Sequence, residues 1–305
     1  MRAALRFVRL ALLLLVVAGC GERAPAPAPL VVYVAASIAV PMRAVADSFT
    51  RRTGRPVQVE SQASLELVRR VTELAQVPDL LVLADWRLFP SLLTPPVADH
   101  VRAYTLFATN RIVPAWRRDA PFADSITATT WRDWLTRPAL RIGRADPATD
   151  PSGYRTLLVF QLAAREAGDP ALADRLLAAA PTRYVRPREA DQVALLEGGG
   201  LDIIWTYENL ARQAGLAYLR LPGAVDLGTP GDSSTYRRAV VRVPGRTLRD
   251  SLTIVGEPIA YAAGVPTRAR ESAGGQALLA FLLGADGRAV ASRLGLDMLP
   301  DARAR

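Results

Sequence analysis

Asp150-Pro151-Ser152-Gly153-Tyr154-Arg155 is the stretch on which the reading of this chain turns. Pro151 fits the first position of a helix, where its missing N–H has no intrahelical partner to lose. Beyond it Tyr154, Leu157, Leu158, Gln161 and Leu162 recur at intervals of three and four, the spacing of an amphipathic helix. The first N–H groups of such a helix point outward unpaired, and its dipole places roughly half a positive charge there. Ser152 adds a hydroxyl donor and Gly153 lets a ligand approach the backbone, so the stretch predicts a seat for a small oxyanion. A plainer reading stays open beside it, in which Asp150-Pro151 is only a helix cap and first turn.

Moving outward, Leu30 to Ala35 (LVVYVA) reads as a buried strand that runs through Ala36-Ser37-Ile38 into a helix over 40–52. Pro56 to Glu60 is a second strand, and Ser61 to Ser64 opens a second helix that reaches Leu74. Ser37 and Ser64 thus hold equivalent places between a strand end and a helix start, where an open α/β sheet presents ligands. Either serine alone also fits a simple N-cap. Asp79 to Ala84 is a third strand, ending in Asp85-Trp86 at the same edge.

Downstream, strands over 111–116 and 141–143 bracket a helix over 130–136. A helix over 187–196, a Gly198-Gly199-Gly200 break and a strand over 202–207 follow. Segments 236–243 and 252–255 read as strands returning toward the first lobe, then a strand over 262–265 and closing helices over 276–294. Alternating strands and helices argue for an α/β fold. The long middle segment divides it into two lobes joined by two crossing strands, with 30–110 and 244–305 in lobe 1 and 111–243 in lobe 2.

Arg2, Arg6 and Arg9 precede the apolar run Leu10 to Ala18, so residues 1–19 read as an export signal. Its nine apolar residues fall short of the ~20 that span a bilayer. Cys20, the one cysteine, follows Gly19 as in a bacterial lipobox, which predicts a lipidated first residue of the mature chain. Residues 20–29 make a Pro/Ala tether that buries nothing. The protein is then expected to be exported and held at the outer face of the cell membrane, toward the periplasm or cell exterior.

The chain carries +9, or +6 without the three leader arginines, and every basic residue is Arg. The arginines lie scattered over predicted helix faces, without the clustered stripe or interleaved aromatics of a nucleic-acid groove. An enzyme has little to stand on. His100 is the single histidine, without metal-ligand spacing nearby, and no phosphate loop or dinucleotide fingerprint occurs. A lipid-anchored hydrolase of anionic substrates would have to use His100 in its triad.

Several separate blocks resemble one family. They are Ala36-Ser37-Ile38-Ala39-Val40-Pro41, Ser64 to Leu74, Pro78-Asp79-Leu80 through Ala84-Asp85-Trp86, and Phe107 to Val113. Asp146-Pro147, Asp150 to Arg155, Arg186-Pro187, Leu195-Leu196-Glu197 and Phe281-Leu282-Leu283 complete the set. In order and spacing they resemble the extracytoplasmic molybdate/tungstate-binding proteins of ABC transporters, in particular the archaeal type. The resemblance implies a type II periplasmic-binding-protein fold that traps its ligand between lobes, and a monomer that delivers to a permease. It implies no cofactor and no catalysis. Ser37 and Ser64 would donate from one lobe, and Ser152, Gly153 and Tyr154 from the other, with Tyr207 nearby. Two carboxylates would reach the metal and raise its coordination from four to six; Asp150 matches the first. The second departs from the pattern. The family's acid precedes the tyrosine, where this chain has Thr206, and Glu208 follows it instead. Phosphate, sulfate or another anion in the same fold remains the alternative ligand.

Overall fold

A computed structural model of the chain describes residues 28–245 and 249–305; the expected export signal, Cys20 and most of the expected tether lie outside the described residues. The described chain opens with β1 (Leu30–Ala35), a 3-10 turn (Ala36–Ile38), α1 (Ala39–Thr53), β2 (Val57–Gln62), α2 (Ser64–Thr72) and β3 (Leu80–Leu83). Next come β4 (Val101–Thr109), β5 (Ile112–Trp116), α3 (Trp131–Trp134), β6 (Ile142–Ala145), α4 (Pro151–Glu166) and α5 (Leu172–Ala179). They are followed by β7 (Val185–Arg186), α6 (Glu189–Glu197), β8 (Ile203–Tyr207), α7 (Glu208–Gln213) and β9 (Ala217–Tyr218). The last part holds α8 (Gly223–Asp226), α9 (Ser233–Tyr236), β10 (Val240–Pro244), β11 (Ser251–Val255), β12 (Ala260–Pro266), α10 (Ser272–Leu283), α11 (Ala285–Arg293) and β13 (Asp297–Ala304).

Six strands form one sheet in the order β13-β4-β12-β3-β1-β2, with β1 between β3 and the edge strand β2 and parallel to both. Five strands form a second sheet in the order β7-β6-β8-β5-β9, in which β6 is parallel to β7 and β8. The continuous apolar runs of β1 and β3 follow from burial on both faces, as in any parallel sheet covered by helices. Side chains alternate across the second sheet. Ile203, Trp205 and Tyr207 face the large core, where Phe160 of α4 meets Trp205 edge-on at 5.0 Å. Ile204 and Val113 face a smaller core with Leu196 of α6 and Ala211 of α7. The chain passes between the sheets twice, at Asn110-Arg111 and again between Val255 and Ala260, where Ala260 lies opposite Thr109.

Several segments differ from the sequence reading, which assigns no element to β4, α5, β7 or β9; two others stand out. Residues 236–243 are not one strand: Ser233–Tyr236 is a helical turn, and β10 then pairs with β11 alone as an antiparallel ribbon. Gln161 of α4 explains this, since its side-chain amide both donates to and accepts from the backbone of Val240. β13, rich in polar residues and containing Pro300, gives no strand pattern in sequence yet pairs with β4.

Candidate functional site

The parallel strands of each sheet end at a common edge, and each delivers a polar residue there. In the first sheet Ser37 follows β1, Ser64 follows β2 and Asp85 follows β3. In the second Asp150 follows β6, Glu189 follows β7 and Glu208 follows β8. Ligands of open α/β sheets sit outside such carboxyl ends. The two edges meet: the N–H of Leu65 donates to the carbonyl of Thr149 at 3.1 Å, and Arg69 donates to that of Ala148 at 3.0 Å.

Asp150 is the N-cap of α4. Its Oδ1 accepts from the Ser152 N–H at 2.9 Å, and Oδ2 accepts from the Glu189 N–H at 3.4 Å. Its carboxylate therefore caps the helix start. Burial is the main cause that pushes the Asp150 carboxyl up to about 6 from its ordinary 3.8, and the bonds from Ser152 and Glu189 moderate it. Gly153 also serves close packing. A Cβ there would lie 2.6 Å from Asp146 C and Pro147 N and 2.7 Å from Ala145 O, so the glycine lets the helix start press against the turn that leads into it.

Glu189, the first residue of α6, stands beside Asp150 and is 1 % exposed. It drew no notice in sequence, where an acid in a helix's first turn is ordinarily a solvated partner of the dipole. Burial and the Asp150 carboxylate push its pKa well above the usual carboxylate range. The hydroxyls of Ser37 and Ser152 stand near enough to favour its ionised form, yet Glu189 Oε2 and Ser152 Oγ are buried without a hydrogen-bond partner of proper geometry. Ser37 is itself held in place. Asn110 donates to the Tyr261 hydroxyl at 2.8 Å, Tyr261 donates to Ser37 Oγ at 3.2 Å, and Asn209 donates to the Ser37 carbonyl at 2.8 Å. Ser64 Oγ accepts from the Ala84 N–H at 3.0 Å, which leaves its own O–H to donate.

A second buried cluster ties the edges together. Tyr154 donates its hydroxyl to Asp85 at 2.7 Å, so this side chain is a strut rather than an open ligand donor. Arg155, 2 % exposed, pairs with Asp85 at 3.3 Å, donates to the Ala84 carbonyl at 2.7 Å and to the Tyr207 hydroxyl. Tyr207 is thus occupied by Arg155 from behind. Burial alone would raise Asp85, but Arg87 and Arg155, with the Tyr154 hydrogen bond, outweigh it and hold the carboxyl well below its ordinary range.

Glu208 lies elsewhere. Its carboxylate is 1 % exposed and accepts from Arg220 at 2.6 Å, Arg111 at 2.9 Å and the Tyr218 hydroxyl at 3.3 Å. Strand alternation does not carry it to the side of Thr206, because β8 ends at Tyr207 and Glu208 is already the first residue of α7. Its lone pairs are spent on arginines, and the structure does not bring it into the Asp150–Glu189 group.

Two sheets with strand ends facing one another and buried polar side chains between them define the type II periplasmic-binding-protein fold. The periplasmic molybdate-binding protein of Azotobacter vinelandii has the same fold, with a TM-score of 0.61 at 16% identity over 89% of this chain and 100% of that one. The chain belongs to the bacterial extracellular solute-binding proteins, whose family model matches residues 30–297. It is 33% identical to a solute-binding protein of Petrotoga mobilis over 87% of this chain and 82% of that protein. It is also 29% identical to the molybdate/tungstate-binding protein WtpA of Pyrococcus abyssi, over 95% of this chain and 91% of the relative.

Proposed function

We propose that this chain is the ligand-capturing component of an ABC importer for tetrahedral metal oxyanions, tungstate or molybdate. The observation that carries the reading is the convergence, between two sheets, of the Ser37 and Ser152 hydroxyls on one buried spot beside Glu189. Hydroxyl and amide dipoles converging in a water-poor crevice hold a dianion without a permanent countercharge. The likeness to WtpA along most of its length supports the choice of guest. Ser37, Ser64, Ser152 and Asp150 line the seat in this reading, while Gly153, Tyr154 and Tyr207 shape it from behind. No cofactor enters, and no chemistry is done on the guest.

In the same reading residues 30–110 with 244–305 form one lobe and 111–243 the other, and the lobes close on the oxyanion. Cys20, lipidated after removal of residues 1–19, would tether a monomer to the outer face of the membrane beside its permease. Among the described residues no helix is long and apolar enough to cross a membrane. Phosphate is the second reading, because hydrogen phosphate brings a proton that Asp150 would accept.

A thermal-shift panel with tungstate, molybdate, sulfate and phosphate tests the assignment. Ligand at a hundred times its dissociation constant adds about 2.7 kcal/mol, a rise of roughly 5 °C for a chain of this size. Phosphate or sulfate shifting the midpoint more than either metal oxyanion would overturn the ligand and leave the fold standing.

A further inference from the structure

We propose that Tyr261 and Asn110 are positioning residues that keep the Ser37 proton free for an entering oxyanion, by occupying the one buried contact on which Ser37 would otherwise spend it. This rests on the proposed function, in which Ser37 lines the seat. The direction of each proton follows from the fixed ends of the network. The backbone N–H groups of Arg111 and Asn209 point at one atom of the Asn110 side-chain amide, at 2.9 and 3.5 Å. A backbone N–H only donates, so that atom is the oxygen and the other is the NH2 group. Its two protons go to Asn209 Oδ1 at 2.7 Å and to the Tyr261 hydroxyl oxygen at 2.8 Å. Tyr261 thus accepts from Asn110 and gives its own proton to Ser37 Oγ at 3.2 Å. The far end agrees: Asn209 donates to the Ser37 carbonyl at 2.8 Å, which only accepts, so the oxygen of Asn209 is the end that faces Asn110.

All four residues are buried, so bulk water does not replace these bonds. Asn110 lies in the first crossing segment, Asn209 in α7 after β8, and Tyr261 in β12 just past the second crossing. The network therefore reaches Ser37 from the second sheet and from both crossings. Ser37 cannot donate back to Tyr261, and its proton is left for the spot it shares with Ser152 beside Glu189. A hydroxyl without such a hold samples three staggered positions. One already turned toward the seat loses no freedom when the guest arrives.

Titration calorimetry of the mature chain with sodium tungstate tests this in wild type, Tyr261→Phe, Ser37→Ala and the double variant. Ser37→Ala removes a hydrogen bond to a charged guest and is expected to weaken tungstate about 10- to 100-fold. Tyr261→Phe leaves the ring and releases the Ser37 hydroxyl among its three positions, a loss of about three- to tenfold. In the Ser37→Ala background the same change should cost less than about twofold, because the hydroxyl it acts through is gone. Asn110→Ala lets Ser37 donate back to Tyr261; it is expected to repeat the pattern and supplies the same cycle should Tyr261→Phe not fold. An equal loss with and without the Ser37 hydroxyl would give Tyr261 a merely structural part and overturn the inference, as would unchanged tungstate affinity in Tyr261→Phe. A wild type that binds neither tungstate nor molybdate fails at the earlier step and removes the proposed function along with it.

Discussion

Asp85→Asn removes a charge from the buried cluster behind the crevice while keeping the side chain's size. The wild-type carboxylate is fully buried, accepts from Tyr154 at 2.7 Å, and pairs with Arg87 at 3.2 Å and Arg155 at 3.3 Å. Taking one partner from a buried ion pair costs about 3–5 kcal/mol, because the remaining charge is left uncompensated. Here the arginines keep other acceptors. Arg155 retains the Ala84 carbonyl and the Tyr207 hydroxyl, and Arg87 retains the Val255 carbonyl, so the lower end, about 3 kcal/mol, is expected. Urea unfolding of the ligand-free mature chain near pH 7 reads this directly. The pH dependence gives a second check. Because the folded carboxyl titrates well below its ordinary 3.8, its stabilisation is complete above that value and is lost as pH falls below it. The gap between wild type and variant should therefore shrink below about pH 4. A loss under about 1 kcal/mol near pH 7, or a gap indifferent to acid, would refute the claim that Asp85 is the cluster's organising charge.

Two further outcomes are expected. Gly153→Ala, whose new methyl would lie 2.6 Å from the backbone of Asp146 and Pro147, should cost about 1–3 kcal/mol in thermal or urea unfolding. It should also weaken oxyanion binding, since the turn that must yield carries Asp150. The raised Asp150 carboxyl works in the opposite sense to Asp85: the folded state holds its proton more tightly, so ligand-free wild type loses stability as pH rises from 3.8 to about 6. At about 1.4 kcal/mol per pH unit the loss reaches about 3 kcal/mol, shared with the adjoining Glu189. Asp150→Asn, still able to cap the helix, should flatten that slope in melting curves taken across the window.

Much of the frame is legible in sequence because it is written in local patterns. The runs that became β1, β3 and β8 are apolar enough to be buried on both faces, and Pro151 marks the start of α4. Ser37 and Ser64 follow strands with a helix behind them, and both were found where the turns place them. β10 and β13 were not legible. One is cut short by a helical turn and bound by a glutamine 79 residues away in sequence; the other pairs with β4 despite its polar composition. Gly153 has a further reason that local sequence does not show: the space its missing side chain opens is filled by the chain's own backbone.

The amino-acid order by itself determined the α/β class, the start of α4 at Pro151 and some of the polar residues at the strand ends, Ser37, Ser64, Asp85 and Asp150 among them. Only the tertiary structure decided which of those residues face one another. Glu189 and Glu208 each open a helix just after a strand, and nothing local separates them. Packing sets one beside Asp150 and surrounds the other with Arg111 and Arg220. The state of a carboxyl depends on burial and on every charge within several ångströms. That sum runs over residues far apart in the chain, so it exists only once the chain has folded.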